Sequence, residues 1–180
     1  MDDHILEDED LMAEVARGKR DSLEPLMRRH ATPLLTFVER MVGDRHLGEE
    51  MFQDVFLAVW TKRGSYEFPR PFRAWLYAIA VNRCRTELRR NTIPVRPLEE
   101  SHSPTDSASP VELAIATETA TLVASAVATL PPRQREVMIL RIWQQLSYGE
   151  IATILDSTES TVRANMHHGL CTLRVQLQGI

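Results

Sequence analysis

The chain has 180 residues, 43% apolar and 26% charged, with a formal net charge of −4 and two cysteines. Those figures describe one large or two small globular domains, and they exclude collagen-like and low-complexity chains, a disulfide scaffold and a paired-cysteine zinc site. No apolar run approaches the ~18 residues of a spanning helix, and the opening MDDHILEDED carries the opposite charge of a secretory leader, so a cytoplasmic protein is expected.

Residues 1–10 hold six acids and neither Lys nor Arg, and are read as a disordered acidic tail that screens the Arg70–Arg90 stretch in the free protein. Helices are then predicted at 9–17, 22–42, 46–62 and 70–91, the first three closed by Gly18, Gly43 and Gly64. Pro33 should kink or split the second. Residues 93–112, IPVRPLEESHSPTDSASPVE, hold four Pro and four Ser and read as an extended linker. Further helices are predicted at 111–129, 133–145, 148–155 and 158–178. No sustained alternation marks a strand. The expected fold is all-α: a helical domain over 11–92, the linker 93–112, and a second helical domain over 113–180.

Charge is uneven along this plan. Residues 11–92 carry a net +5 and residues 93–132 a net −4, and the stretch Arg70–Arg90 has six Arg against one Glu. Such a patch fits an anionic partner.

Three constellations stand out. In SYGE, Ser147 and Glu150 have the spacing of a capping box at a helix start. Asp156, Ser157 and Thr158 break that short helix, and Ser157 or Thr158 can cap the next. The next helix places Val162, Met166, Leu170, Leu173 and Leu177 on an apolar stripe and Glu159, Ser160, Arg163, His167 and Thr172 outward, with Asn165 and His168 at the edges. A short helix, a tight turn and a longer amphipathic helix describe a helix-turn-helix, whose second helix reads base edges in the major groove. The alternative is a helical hairpin that merely packs.

The second constellation interleaves Tyr66, Phe68, Phe72, Trp75 and Tyr77 with Arg70, Arg73, Arg83, Arg85, Arg89 and Arg90, while Asn82, Arg85 and Arg89 share a helical face. Aromatic platforms beside guanidinium groups suit single-stranded nucleic acid. Taken singly, each aromatic reads as core beside Leu76, Ile79 and Ala80; the cluster as a whole points to nucleic acid. The third is the stripe Glu50, Gln53, Asp54 and Leu57, opposite the apolar side of Met51, Phe52, Val55, Phe56 and Val59. By itself it reads as a solvated face; with Leu57 as an apolar anchor it could dock on a basic protein surface.

The segments GEEMFQDVFLAVW and PFRAWLYAIAVNRCRTELRR resemble region 2 of the sigma-70 family, and LPPRQREVMILRIWQQLSYGEIATILDSTESTVRANMHHGLCTLR resembles its region 4. Their order and the chain length are similar to the two-domain extracytoplasmic-function (ECF) sigma factors. The resemblance implies a non-enzymatic factor that binds core RNA polymerase and directs promoter recognition. Glu50, Gln53, Asp54 and Leu57 would meet the beta-prime clamp helices, and the second domain the beta flap. Phe72, Trp75, Tyr77, Asn82, Arg85, Arg89 and Arg90 would melt and read the minus-ten element. Ser160, Thr161, Arg163, Asn165, His167 and His168 would read the minus-thirty-five element. The linker would thread the polymerase cleft, and an anti-sigma factor, often membrane-anchored in the family, is an expected partner.

Some positions depart from the family pattern. Thr86 stands where Asp is frequent, Asn165 and His168 where Arg is common, and Gly169 where Ala is common. The second domain alone is therefore expected to bind DNA weakly. No small-molecule substrate, metal or cofactor is expected: HExxH, Gly-rich phosphate loops and nucleophile elbows do not occur, and adjacent His167 and His168 diverge by about 100° on a helix. Cys84 and Cys171 both read as small hydrophobic residues. The alternative function is a stand-alone helix-turn-helix regulator.

Overall fold

In the computed structural model, residues 6–90 and 122–178 are described. The expected linker and the first part of the helix predicted at 111–129 fall outside these residues. Helix α1 spans Asp8–Ala16, α2 Leu23–Val42, α3 Arg45–Thr61 and α4 Phe72–Arg90. Residues 122–128 are helical (α5), followed by α6, Pro132–Ile142, α7, Tyr148–Leu155, and α8, Glu159–Gln178. Among the described residues there is no strand, and no helix is long and apolar enough to cross a membrane.

Local chemistry sets the boundaries. Gly18 has φ 95° and Gly43 φ 73°, so both end helices in a backbone region that costs other residues more. The Asp44 carboxylate accepts the Leu47 amide at 2.9 Å and starts α3. Pro132 opens α6, where its missing N–H is no loss. Pro33 does not split α2, which runs through it as one helix.

The acidic tail is corrected in its second half. Asp8, Glu9 and Asp10 form the first turn of α1, where negative charge favours the helix dipole. Asp8 pairs with Arg29 at 2.7 Å and His30 at 2.6 Å. Glu9 accepts the Phe72 amide at 3.0 Å and so caps α4 from another helix.

Helices α1–α4 close around Met12, Leu26, Phe37, Val55, Val59 and Leu76, each fully buried. Burying such side chains contributes roughly 1.5–3 kcal/mol apiece. Gly48 brings α3 onto α2: a Cβ there would lie 3.0 Å from Glu39 Cα. The second group packs α6, α7 and α8 around Met138, Ile139, Leu140 and Ile151. The groups touch, α4 on α7 and α2 on α6, and their buried side chains form one continuous apolar cluster.

The predicted stripe of α8 needs correction. Val162 and Leu173 are buried and Met166 half-buried, but Leu170 is 49% and Leu177 40% exposed. The packed line is Val162, Met166, Gly169 and Leu173, at helical spacing. Gly169 is buried, and a Cβ on it would lie 3.3 Å from Met138 Cγ. Its value is the close approach of α8 to α6, which the expected propensity cost alone does not reveal.

Candidate nucleic-acid interface

On α3, the side opposite the core is open. Glu50 and Gln53 are exposed, Asp54 is half-buried, and Leu57 is 59% exposed. The spacing that aligned these four in the sequence puts them on one solvent-facing stripe. An apolar side chain amid acidic neighbours has little to gain from solvent.

Helix α4 differs. Phe72, Trp75 and Tyr77 are 0%, 6% and 1% exposed, so in this structure their rings belong to the core and offer no free stacking face. Phe72 meets His30 edge-on at 5.3 Å, Tyr66 meets Trp75 at 5.3 Å, and Phe37 meets Tyr77 at 5.2 Å. Burial pushes the Tyr77 hydroxyl up to about 12, keeping it a donor. Asn82, Arg89 and Arg90 are exposed, whereas Arg85 is half-buried. Both forks of Arg85 are taken: Nε donates to Glu136 Oε1 and Nη2 to Oε2, each at 2.6 Å.

Phe68 belongs to the aromatic constellation but lies outside the residues that the resemblance assigns to the minus-ten element. It sits on the turn before α4, 58% exposed, beside Arg70, whose carbonyl accepts the Tyr66 hydroxyl. A helical period could not find it, because it does not lie on a helix. Its signal was composition alone.

The helix-turn-helix forms as expected. Glu150 N–H donates to Ser147 Oγ at 3.2 Å, and Ser147 N–H to Glu150 Oε2 at 2.7 Å, completing the capping box. Those bonds to Ser147 hold the Glu150 carboxyl below its ordinary range. Asp156 turns the chain with φ 49°, and Thr158 Oγ1 accepts the Thr161 amide at 3.2 Å to start α8. On the first turns of α8, Ser160, Thr161, Arg163, His167 and His168 are exposed and Asn165 is half-buried. Arg163 pairs with Glu159 at 2.6 Å and lies 4.4 Å over the Tyr148 ring. Asn165 Nδ2 donates to the Thr161 carbonyl at 2.9 Å.

The cysteines separate. Cys84 is buried, with desolvation pushing its thiol up to about 12, as a small apolar residue would be placed. Cys171 is exposed; its hydrophobic reading is corrected, because it lies off the true packed line of α8.

Known proteins share this arrangement. Sigma-70 region 2 matches residues 26–92, and Sigma-70, region 4 matches residues 121–173. The chain is 32% identical over 160 residues to the RNA polymerase sigma factor CarQ of Myxococcus xanthus, covering 87% of this chain and 90% of that one. It is 25% identical over 178 residues to the ECF RNA polymerase sigma factor SigW of Bacillus subtilis, covering 93% and 95%. The structure of CnrH in complex with the cytosolic domain of CnrY superposes with a TM-score of 0.74 at 25% identity, covering 96% of this chain and 97% of that chain. Two successive sigma regions on an all-helical frame define the class, and the chain belongs to the sigma-70 family, within its ECF group. That family consists of transcription initiation factors, not of enzymes.

Proposed function

We propose that this ECF sigma factor directs initiation through three surfaces. Glu50, Gln53, Asp54 and Leu57 on α3 dock on the beta-prime clamp helices of core RNA polymerase. Asn82, Arg85, Arg89 and Arg90 on α4 hold the minus-ten strand, with Phe68 offering an exposed ring for stacking. Residues Ser160–His168 of α8 enter the major groove at the minus-thirty-five element, where Arg163 and Asn165 must leave their present partners to reach base edges. Phe72, Trp75 and Tyr77 act by shaping α4; for any of them to meet a base directly, its ring would first have to leave the core.

The observation that carries this reading is the acidic stripe around exposed Leu57. It repels DNA and suits a basic protein surface. The helix-turn-helix half binds weakly by itself, and the polymerase supplies usable affinity by holding both halves on one promoter. The relative CnrH is seen with the cytosolic domain of CnrY, which supports an anti-sigma partner here too. The role places the protein in the cytoplasm and asks for no catalytic chemistry of its own.

The test is a gel shift on a promoter fork with a single-stranded minus-ten region, with and without core polymerase, for wild type and Asp54→Arg. The expected result is a shift that requires core and weakens in the variant. Tight binding without core, indifferent to the substitution, would instead mean a stand-alone helix-turn-helix regulator.

A further inference from the structure

Tyr148 opens α7 and is half-buried against the apolar cluster. Two guanidinium groups lie over its ring: Arg141 of α6 at 4.9 Å and Arg163 of α8 at 4.4 Å. One side chain of α7 is thus tied to both neighbouring helices. Its own place is fixed locally. The Ser147–Glu150 capping box sets the start of α7, and Arg141 Nη1 donates to the Leu146 carbonyl at 2.7 Å, which holds the turn just before it.

We propose that Tyr148 is a positioning residue for promoter reading: its ring holds the Arg163 guanidinium at the outer edge of α8, so that Arg163 meets its base pair already ordered. The inference rests on the minus-thirty-five role given to α8 above. The two contacts of Arg163 differ in kind. Glu159 accepts from Nη2 at 2.6 Å, and the two side chains are 60% and 50% exposed. An i,i+4 pair so open to water exchanges readily, and Glu159 is the hydrogen-bond partner that Arg163 gives up to reach a base.

The ring contact survives that exchange. A ring attracts a cation through its quadrupole and needs no hydrogen bond, so the five guanidinium N–H donors are left for DNA once Glu159 lets go. Two of them suit guanine, which offers a pair of acceptors in the major groove. A long side chain loses rotamer freedom when it is fixed on a partner. One held beforehand loses less, and the saving appears as affinity for the matching base. A wandering fork makes one bond to many groups; a placed fork makes two bonds to one.

Holoenzymes assembled from core polymerase and the full chain, Tyr148→Phe, Tyr148→Leu or Arg163→Ala are offered a duplex library randomised over the minus-thirty-five region, and the bound pools are sequenced. Circular dichroism first establishes that each variant keeps its helices; Tyr148→Met replaces Tyr148→Leu if that one does not. The expected result is that Arg163→Ala loses base preference at one place in the site. Tyr148→Leu should weaken that same preference about tenfold and leave the others standing. Tyr148→Phe should match the wild type, because a ring without the hydroxyl still attracts the cation. In the free chain, nitrogen-15 relaxation at Nε should show Arg163 more ordered than Arg174, which is exposed on the same helix, and should show that order lost in Tyr148→Leu.

Full preference retained in Tyr148→Leu would overturn the proposal. So would an even loss at every position, which would make Tyr148 a structural residue only. Equal losses in Tyr148→Phe and Tyr148→Leu would assign the effect to the hydroxyl and overturn the role of the ring. No loss of preference in Arg163→Ala, or Arg163 as mobile as Arg174 in the wild type, would overturn it too. Absence of any selection by the wild-type holoenzyme is a different result: it would strike the minus-thirty-five reading of α8 itself, and the inference with it.

Discussion

Helices α3 and α4 are neighbours with the same kind of sequence signal and opposite fates. Each carries a polar stripe at helical spacing beside an apolar one. On α3 the polar stripe faces solvent, and its one apolar member, Leu57, is 59% exposed. On α4 part of the corresponding chemistry is taken: Arg85 is paired to Glu136, Arg73 and Tyr77 bond Gln144, and Phe72 lies in the core, while Asn82, Arg89 and Arg90 stay exposed. Periodicity tells which residues share a face. It does not tell whether another part of the chain already sits there.

That contrast can be broken most forcefully at Tyr77. Tyr77→Ala removes a ring packed edge-on to Phe37 at 5.2 Å and leaves Gln144 without its donor. It should cost about 3–5 kcal/mol in urea unfolding. A loss below about 1 kcal/mol would mean that α4 is less tied down than described.

Gly48→Ala examines whether the inner side of α3 is as constrained as α4. A Cβ would meet Glu39 Cγ at 2.6 Å and Cα at 3.0 Å, so helix propensity gained is outweighed by the clash. A destabilisation of about 1–3 kcal/mol is expected. A stabilised variant would show that the α2–α3 contact yields freely.

Asp8→Asn tests the bracing of α1 on α2, the pair that presents Glu9 to the start of α4. Burial raises the Asp8 carboxyl, but hydrogen bonds and charges from Arg29 and His30 outweigh it and leave it below its ordinary range. A carboxyl lowered in the folded state contributes stability at neutral pH and loses it as pH falls through the folded value, below about 4. The substitution should therefore cost about 1 kcal/mol near pH 7 and progressively less in acid. A cost that grows in acid would contradict the pairing.

Leu57→Ala should have the smallest effect on stability, within about 0.5 kcal/mol, because so much of the side chain is already in solvent. Its effect should fall instead on core-polymerase affinity, about tenfold if Leu57 is the anchor. Pull-down on core beside the unfolding curve separates the two. A variant that destabilises the fold without changing core binding would reverse the comparison between α3 and α4.

The helices were legible because their punctuation is local. Gly18 and Gly43 stop helices through backbone freedom, and Ser147 with Glu150 starts one through two short-range bonds. The helix-turn-helix followed from the same rules, and so did the outward stripes of α3 and the first turns of α8. Less legible was any feature set by a neighbour distant in sequence. Asp8–Asp10 read as a tail, since composition could not see Arg29, His30 or the Phe72 amide. On α8, Leu170 looked like core, but the true line runs through Gly169, whose missing side chain lets Met138 approach.

What the sequence by itself determined is the set of helices, their faces and the family to which they belong, because caps, helical period and motif order act within a few residues. Only the tertiary structure decided which faces are still available. Glu136 lies 51 residues from Arg85, and Gln144 lies 67 from Tyr77. No local pattern encodes such a meeting. It arises because two amphipathic halves bury their remaining apolar surface together and must then satisfy the polar groups trapped at the seam.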